Sequence, residues 1–181
     1  HNVAVYNSSE DEWAAVGDEW APLIYTSQQE GLQRIAGDLA ERAPHVKLYL
    51  RVHPHLAGRS ATAALQRLAN SQLSVIPAES SISTYTLLRH SATILTFGST
   101  VGIEAVYAGK PSILANLSLY RHLGATYNPT THDEVMAHLQ TVPYTITKIE
   151  QKDSQQRPRP PFTTSTLQQD ASQRLRFPTS R

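Results

Sequence analysis

Apolar positions along the first 140 residues alternate between strand-like and helix-like spacing. Val3-Ala-Val-Tyr6 is a short β-prone run that ends in the polar stretch Asn7-Ser-Ser-Glu-Asp11. Leu32, Ile35, Ala36, Leu39 and Ala40 then recur at helical spacing behind a capping box, Ser27 with Glu30. They predict a helix from about Gln28 that closes at Pro44. Val46–Val52 reads as a strand, stopped at His53-Pro54 because proline cannot donate to a ladder. Further helices are predicted over Ala61–Asn70, Ser83–His90 and Val101–Ala108, the last closed by Gly109. A fifth, near His132–Gln140, opens with a second capping box, Thr131 with Glu134. Strands are predicted over Leu73–Ile76, Ala92–Phe97 and Ser112–Ala115.

Short strands separated by helices require crossover connections. The expected class is therefore α/β, a mostly parallel sheet with helices on both faces. Beyond about Val142 the texture changes. Tyr144–Glu150 alternates like a strand, and Gln151–Pro161 is polar and contains the stiff piece Arg157-Pro-Arg-Pro-Pro161. Thr166–Leu175 has helical character but no accompanying core. The expected division is a domain over 1–142 and a poorly packed, extended or disordered tail over 143–181.

Composition sharpens this picture at a few points. With 181 residues, 40% of them apolar, the chain suffices for one domain with a core and not for two. There is no Cys, which excludes disulfides and thiolate sites. The longest apolar runs, such as Ala92–Phe97, are far short of a membrane span, and no signal-peptide pattern opens the chain. A first residue of His1 in place of Met reads as a fragment or a processed piece. Charge is uneven. Residues 151–181 carry six Lys and Arg against two Asp, a net +4, whereas residues 1–150 carry ten against thirteen acids, a net −3.

Ligands of open parallel sheets bind beyond the carboxyl ends of the strands. Two polar clusters fall there. The first is Arg51-Val-His53-Pro-His55. The second is Gly98-Ser99-Thr100-Val-Gly102-Ile-Glu104. In the second, Gly98 permits a sharp turn and Ser99 and Thr100 add hydroxyls. The amides from Ser99 to Gly102 fall in the first helical turn, and Gly102 has no side chain to obstruct a phosphate. The same residues also suit a plain N-cap. Glu104 can accept from ribose hydroxyls, or simply favour the helix start. His53 can donate to a phosphate or to a leaving nucleotide oxygen. Ser8, Ser9 and Glu10, leaving the first strand, can line a cleft or form a solvated turn. No metal site is expected, since His53 and His55 lack a third ligand at sensible spacing.

These clusters resemble a known family. Arg51-Val-His-Pro-His55, Ser83-Thr-Tyr-Thr-Leu-Leu88 and Thr96-Phe-Gly-Ser-Thr-Val-Gly-Ile-Glu-Ala-Val-Tyr-Ala-Gly-Lys-Pro111 are similar to segments of capsule polysaccharide biosynthesis glycosyltransferases, relatives of the bacterial capsule Kdo transferases. Tyr6-Asn-Ser-Ser-Glu-Asp-Glu-Trp13, Tyr120, Gly124, Tyr127 and His132-Asp-Glu-Val135 fit the same pattern, over about residues 1–140. The resemblance implies the Rossmann-like, nucleotide-sugar-binding half of a GT-B enzyme. Donor phosphate would be held by His53, Ser99 and Thr100 with Arg51 and Gly102, and donor nucleotide by Glu104. The partners implied are a nucleotide-sugar donor (CMP-Kdo by analogy, with UDP- and GDP-sugars open) and a glycan or glycolipid acceptor. An N-terminal acceptor domain is absent from this chain, so the fragment would bind donor without turning it over. No cofactor is expected, because the nucleotide-sugar is a substrate. The implied location is cytoplasmic, including the inner face of the membrane.

The tail resembles something else. Tyr144-Thr-Ile-Thr-Lys-Ile-Glu-Gln-Lys152 and Arg159-Pro-Pro-Phe-Thr-Thr-Ser-Thr-Leu-Gln-Gln-Asp-Ala-Ser172 are similar to bacterial type IA DNA topoisomerase I, just upstream of its catalytic tyrosine motif. That resemblance implies weak nucleic-acid binding without strand cleavage. It offers the alternative reading of the chain as a topoisomerase fragment. The two resemblances meet near residues 139–145, as in a chimeric frame or a fusion.

Overall fold

The computed structural model describes residues 1–8, 24–58 and 60–141. The expected tail elements, and Ser9 and Glu10, lie outside them. Five strands form one sheet: β1 (Asn2–Tyr6), β2 (Lys47–Arg51), β3 (Leu73–Ile76), β4 (Thr93–Thr96) and β5 (Ser112–Leu114). The helices are α1 (Gln28–Arg42), α2 (Ser60–Gln66), α3 (Thr84–His90), α4 (Val101–Tyr107) and α5 (His132–Gln140), with single 3-10 turns at Pro54–Leu56 and Arg121–Leu123. All the expected strands and helices of the domain form. The predicted Ala61–Asn70 helix is the one whose end moves appreciably, to Gln66.

Strand order is β3-β2-β1-β4-β5 and every pairing is parallel. Each connection between paired strands is a crossover, and alternation along each strand sends successive side chains to opposite faces. Val3, Val5, Leu48, Leu50, Leu95 and Ile113 meet Leu32, Ile35 and Leu39 of α1 and Val135, Met136 and Leu139 of α5 in the larger core. Ala4, Tyr6 and Ile94 meet Leu88 of α3 and Ala105 of α4 on the other face.

Both capping boxes form, with one difference from the usual arrangement. Ser27 Oγ accepts from the Glu30 amide at 3.1 Å, and Thr131 Oγ1 from the Glu134 amide at 3.2 Å. The return bond lands one residue early. Glu30 Oε2 accepts from Thr26 N and Oγ1 at 2.7 and 2.6 Å, and Glu134 Oε2 from Thr130 N at 2.6 Å. These bonds hold both carboxyls below their ordinary pKa.

One polar chain, buried at Tyr25 and His132 and half-exposed at Asp38, joins α1 to α5. His132, at the start of α5, contacts the Tyr25 hydroxyl through Nδ1 at 2.7 Å and Asp38 Oδ2 through Nε2 at 2.9 Å. With the proton on Nε2, Tyr25 donates to the imidazole and the imidazole donates to Asp38. The bond from His132 holds the Asp38 carboxyl below its usual value, while burial pushes the Tyr25 phenol up.

Candidate functional site

Parallel register sets the site. Arg51, Tyr6, Thr96 and Leu114 are neighbours across β2, β1, β4 and β5. Two residues further along each strand come His53, Ser8, Gly98 and Asn116, so the carboxyl edge of the sheet carries these four in a row. Strand order reverses between β1 and β4, so the connections leaving those two strands diverge and open a crevice.

Asn7 and Ser8 tie the row together. Asn7 is buried, and its Oδ1 accepts from the His53 amide at 3.0 Å, joining the exits of β1 and β2. Ser8 Oγ donates to Phe97 O at 3.1 Å, joining β1 to β4. Gln28, the first residue of α1, grips the Ser8 backbone from both sides. Its Oε1 accepts from Ser8 N at 3.0 Å and its Nε2 donates to Ser8 O at 3.1 Å. Sequence reasoning missed Asn7 and Gln28 as organisers. The only signal was their position, one at a strand exit and one at a helix start.

His53 is half-buried. Its Nδ1 accepts from the His55 amide at 3.2 Å, and the two rings meet edge to face with centroids 4.9 Å apart. An accepting Nδ1 places the proton of the neutral imidazole on Nε2, which makes Nε2 a donor. Among the described residues no group of three or more metal-ligating side chains occurs.

The β4–α4 turn is tightly bonded. Gly98 has φ +121, a conformation that favours glycine. Thr96 Oγ1 accepts from the amides of Gly98 and Ser99 at 3.2 and 2.9 Å. Ser99 Oγ accepts from Val101 N at 3.4 Å, and the Gly102 amide donates to Ser99 O at 3.0 Å. The expected cradle of free amides therefore needs correcting: Ser99, Val101 and Gly102 spend theirs inside the turn. Thr100 is exposed, and its side chain caps nothing.

Two further expectations also change. Gly102 is buried, and a Cβ there would meet the Tyr120 hydroxyl and sit 2.7 Å from Thr96 Cγ2. Its missing side chain makes room for Tyr120, whose hydroxyl donates to Ser99 O at 2.6 Å, and not for a phosphate. Burial pushes that phenol up to about 12. Arg51 turns away from the crevice. Its guanidinium donates to Val52 O at 3.0 Å, Pro77 O at 2.6 Å and Ser80 O at 3.2 Å, with Ala78 O at 3.4 Å. It fastens the loop after β3 to the end of β2, because register puts Arg51 beside Ile76.

Glu104 stands apart from the row. It lies with Tyr85, Leu88, Arg89, Ile103, Tyr107 and Ala108 in a groove of about 620 Å³ between α3 and α4. The Glu104 carboxylate beside Tyr85 raises that phenol's pKa. Its charge also opposes ionisation of Tyr6, whose pKa burial already raises. Tyr6 in turn donates to Thr84 O at 2.8 Å, anchoring the start of α3.

The family model for capsule polysaccharide biosynthesis proteins matches residues 23–146. The chain belongs to this family. A 39-residue segment, 22% of this capsule-family chain, is 50% identical to DNA topoisomerase 1 of Synechococcus elongatus. That segment spans 4% of the topoisomerase. No solved structure matches the chain. Among its described residues no helix is long and apolar enough to cross a membrane.

Proposed function

We propose that the chain is the donor-binding half of a glycosyltransferase that builds capsule or other surface polysaccharide. Residues 1–142 would be the nucleotide-sugar-binding domain, and an acceptor domain would complete the enzyme. The observation that supports this most is the row His53, Ser8, Gly98 and Asn116 at the reversal of strand order, in a chain of the capsule family.

In glycosyl transfer the bond between the anomeric carbon and the phosphate oxygen breaks, and the phosphate leaves with the electron pair. His53 Nε2–H, the Ser99 hydroxyl and the exposed Thr100 hydroxyl are the donors that would meet the growing charge, strengthening as it develops. Arg51 and Gly102 shape this site from behind, by holding the 77–80 loop and by admitting Tyr120. Glu104 would hold the nucleotide. The donor is CMP-Kdo by analogy, with UDP- and GDP-sugars as competitors, and the acceptor is a glycan or glycolipid. Calorimetry with CMP, UDP and GDP tests the reading. We expect one of them to bind, and His53→Ala and Ser99→Ala each to weaken it about tenfold. Binding of none, or affinities untouched by both substitutions, would refute the site.

A second reading concerns residues 143–181 alone. The resemblance of residues 144–181 to a topoisomerase, a topoisomerase match of 50% identity over 39 residues of the chain, and the +4 charge of residues 151–181 favour weak nucleic-acid binding there. Single-stranded DNA should then bind in a salt-sensitive manner, and deletion of residues 151–181 should remove the binding. A deletion without effect ends this reading.

A further inference from the structure

We propose that Asn116 reads the sugar of the donor, an inference that rests on the donor reading above. Asn116 is only 6% exposed, and its Oδ1 is buried with no hydrogen-bond partner. It sits two residues past Leu114, as Gly98 sits two residues past Thr96, the partner of Leu114, on the carboxyl edge. The next residue, Leu117, brings its carbonyl to within 2.9 Å of where a Gly98 side chain would begin. The other polar side chains there each have a partner within the fold. Ser8 Oγ is bonded to Phe97 O, His53 Nδ1 to His55 N, and Ser99 Oγ to Val101 N. A buried carbonyl oxygen left unmet is unfavourable in a fold that gains nothing from it.

The chemistry of that oxygen narrows what it can meet. Oδ1 is an acceptor, and donor phosphates at neutral pH are acceptors too, so phosphate repels it. It needs an O–H or N–H. The nucleoside carries such groups, but in the donor reading these go to Glu104 in the groove between α3 and α4. The hydroxyls of the sugar remain. The terminal torsion of an Asn amide has broad wells, so a turn about it would bring the oxygen to the exposed part of the side chain, where a hydroxyl can meet it. A site built around such a bond rejects a ligand that lacks the hydroxyl.

The test compares the unaltered 181-residue chain with Asn116→Ala, titrated calorimetrically with CMP, UDP and GDP and with CMP-Kdo, UDP-glucose and GDP-mannose. The variant is expected to bind the bare nucleotide within about twofold of the unaltered chain and the matching nucleotide-sugar about tenfold more weakly. It should also melt at the same temperature or higher, since no bond within the fold is lost. Three results would overturn the inference while leaving the donor reading intact: equal weakening of nucleotide and nucleotide-sugar, no weakening of either, or a melting temperature lowered by several degrees. If the unaltered chain binds none of the six ligands, the donor reading fails and this inference with it.

Discussion

Gly98→Ala is expected to destabilise the domain by about 2–5 kcal/mol and to abolish nucleotide binding in the same step. Two penalties coincide at this position. A φ of +121 is strained for any residue with a Cβ. The added carbon would also sit 2.9 Å from Leu117 O, a backbone atom that cannot rotate aside. Relief must come from moving the turn or the β5 exit. Either move disturbs the amides that Thr96 Oγ1 holds and the Ser8 to Phe97 bond. Urea unfolding followed by circular dichroism measures the first effect, and calorimetry on the folded variant the second. A variant with an unchanged midpoint would mean that the β4–α4 turn has a different backbone path.

Arg51→Met is expected to cost about 3 kcal/mol and to lower the melting temperature by about 10 °C. Methionine preserves much of the apolar stem but removes every donor, leaving the carbonyls of Val52, Pro77, Ala78 and Ser80 without their shared partner. Lysine should recover only part of the loss, because one ammonium cannot span four carbonyls as a planar fork does. The effect on ligand is the discriminating part. If Arg51 served the donor phosphate, Arg51→Met would lose affinity and keep stability. The observed geometry predicts the reverse, with stability falling and nucleotide affinity of the folded variant staying within about threefold. Thermal melting and calorimetry on the same preparation separate the two.

Most of the architecture could be read from local pattern. The stripe at Leu32, Ile35, Ala36 and Leu39, the two capping boxes and the glycine after α4 each state an element or its end in a few neighbouring residues. What escaped depended on partners distant in the chain. Arg51 looked like a phosphate ligand because Arg, His and a strand end are close in sequence. Apart from Val52, its partners lie 26 to 29 residues away, and only the β2–β3 register brings them near. Gly102 looked like an opening for a ligand until Tyr120, 18 residues later, was seen to fill that space. Asn7 reads as part of a polar turn, and nothing in the local sequence singles out Asn116. Their importance comes from strand order, which no window of local sequence displays.

The chain from Tyr25 through His132 to Asp38 sets a condition on how the domain is made. It spans 107 residues on one side and 94 on the other. A ribosome that has delivered all five strands has still not delivered Val135, Met136 and Leu139, which finish one of the two apolar layers. The nascent sheet therefore emerges with one face partly bare and with Tyr25 and Asp38 awaiting an imidazole. Closure of that layer belongs to α5, the last helix of the described residues, and cannot precede its synthesis.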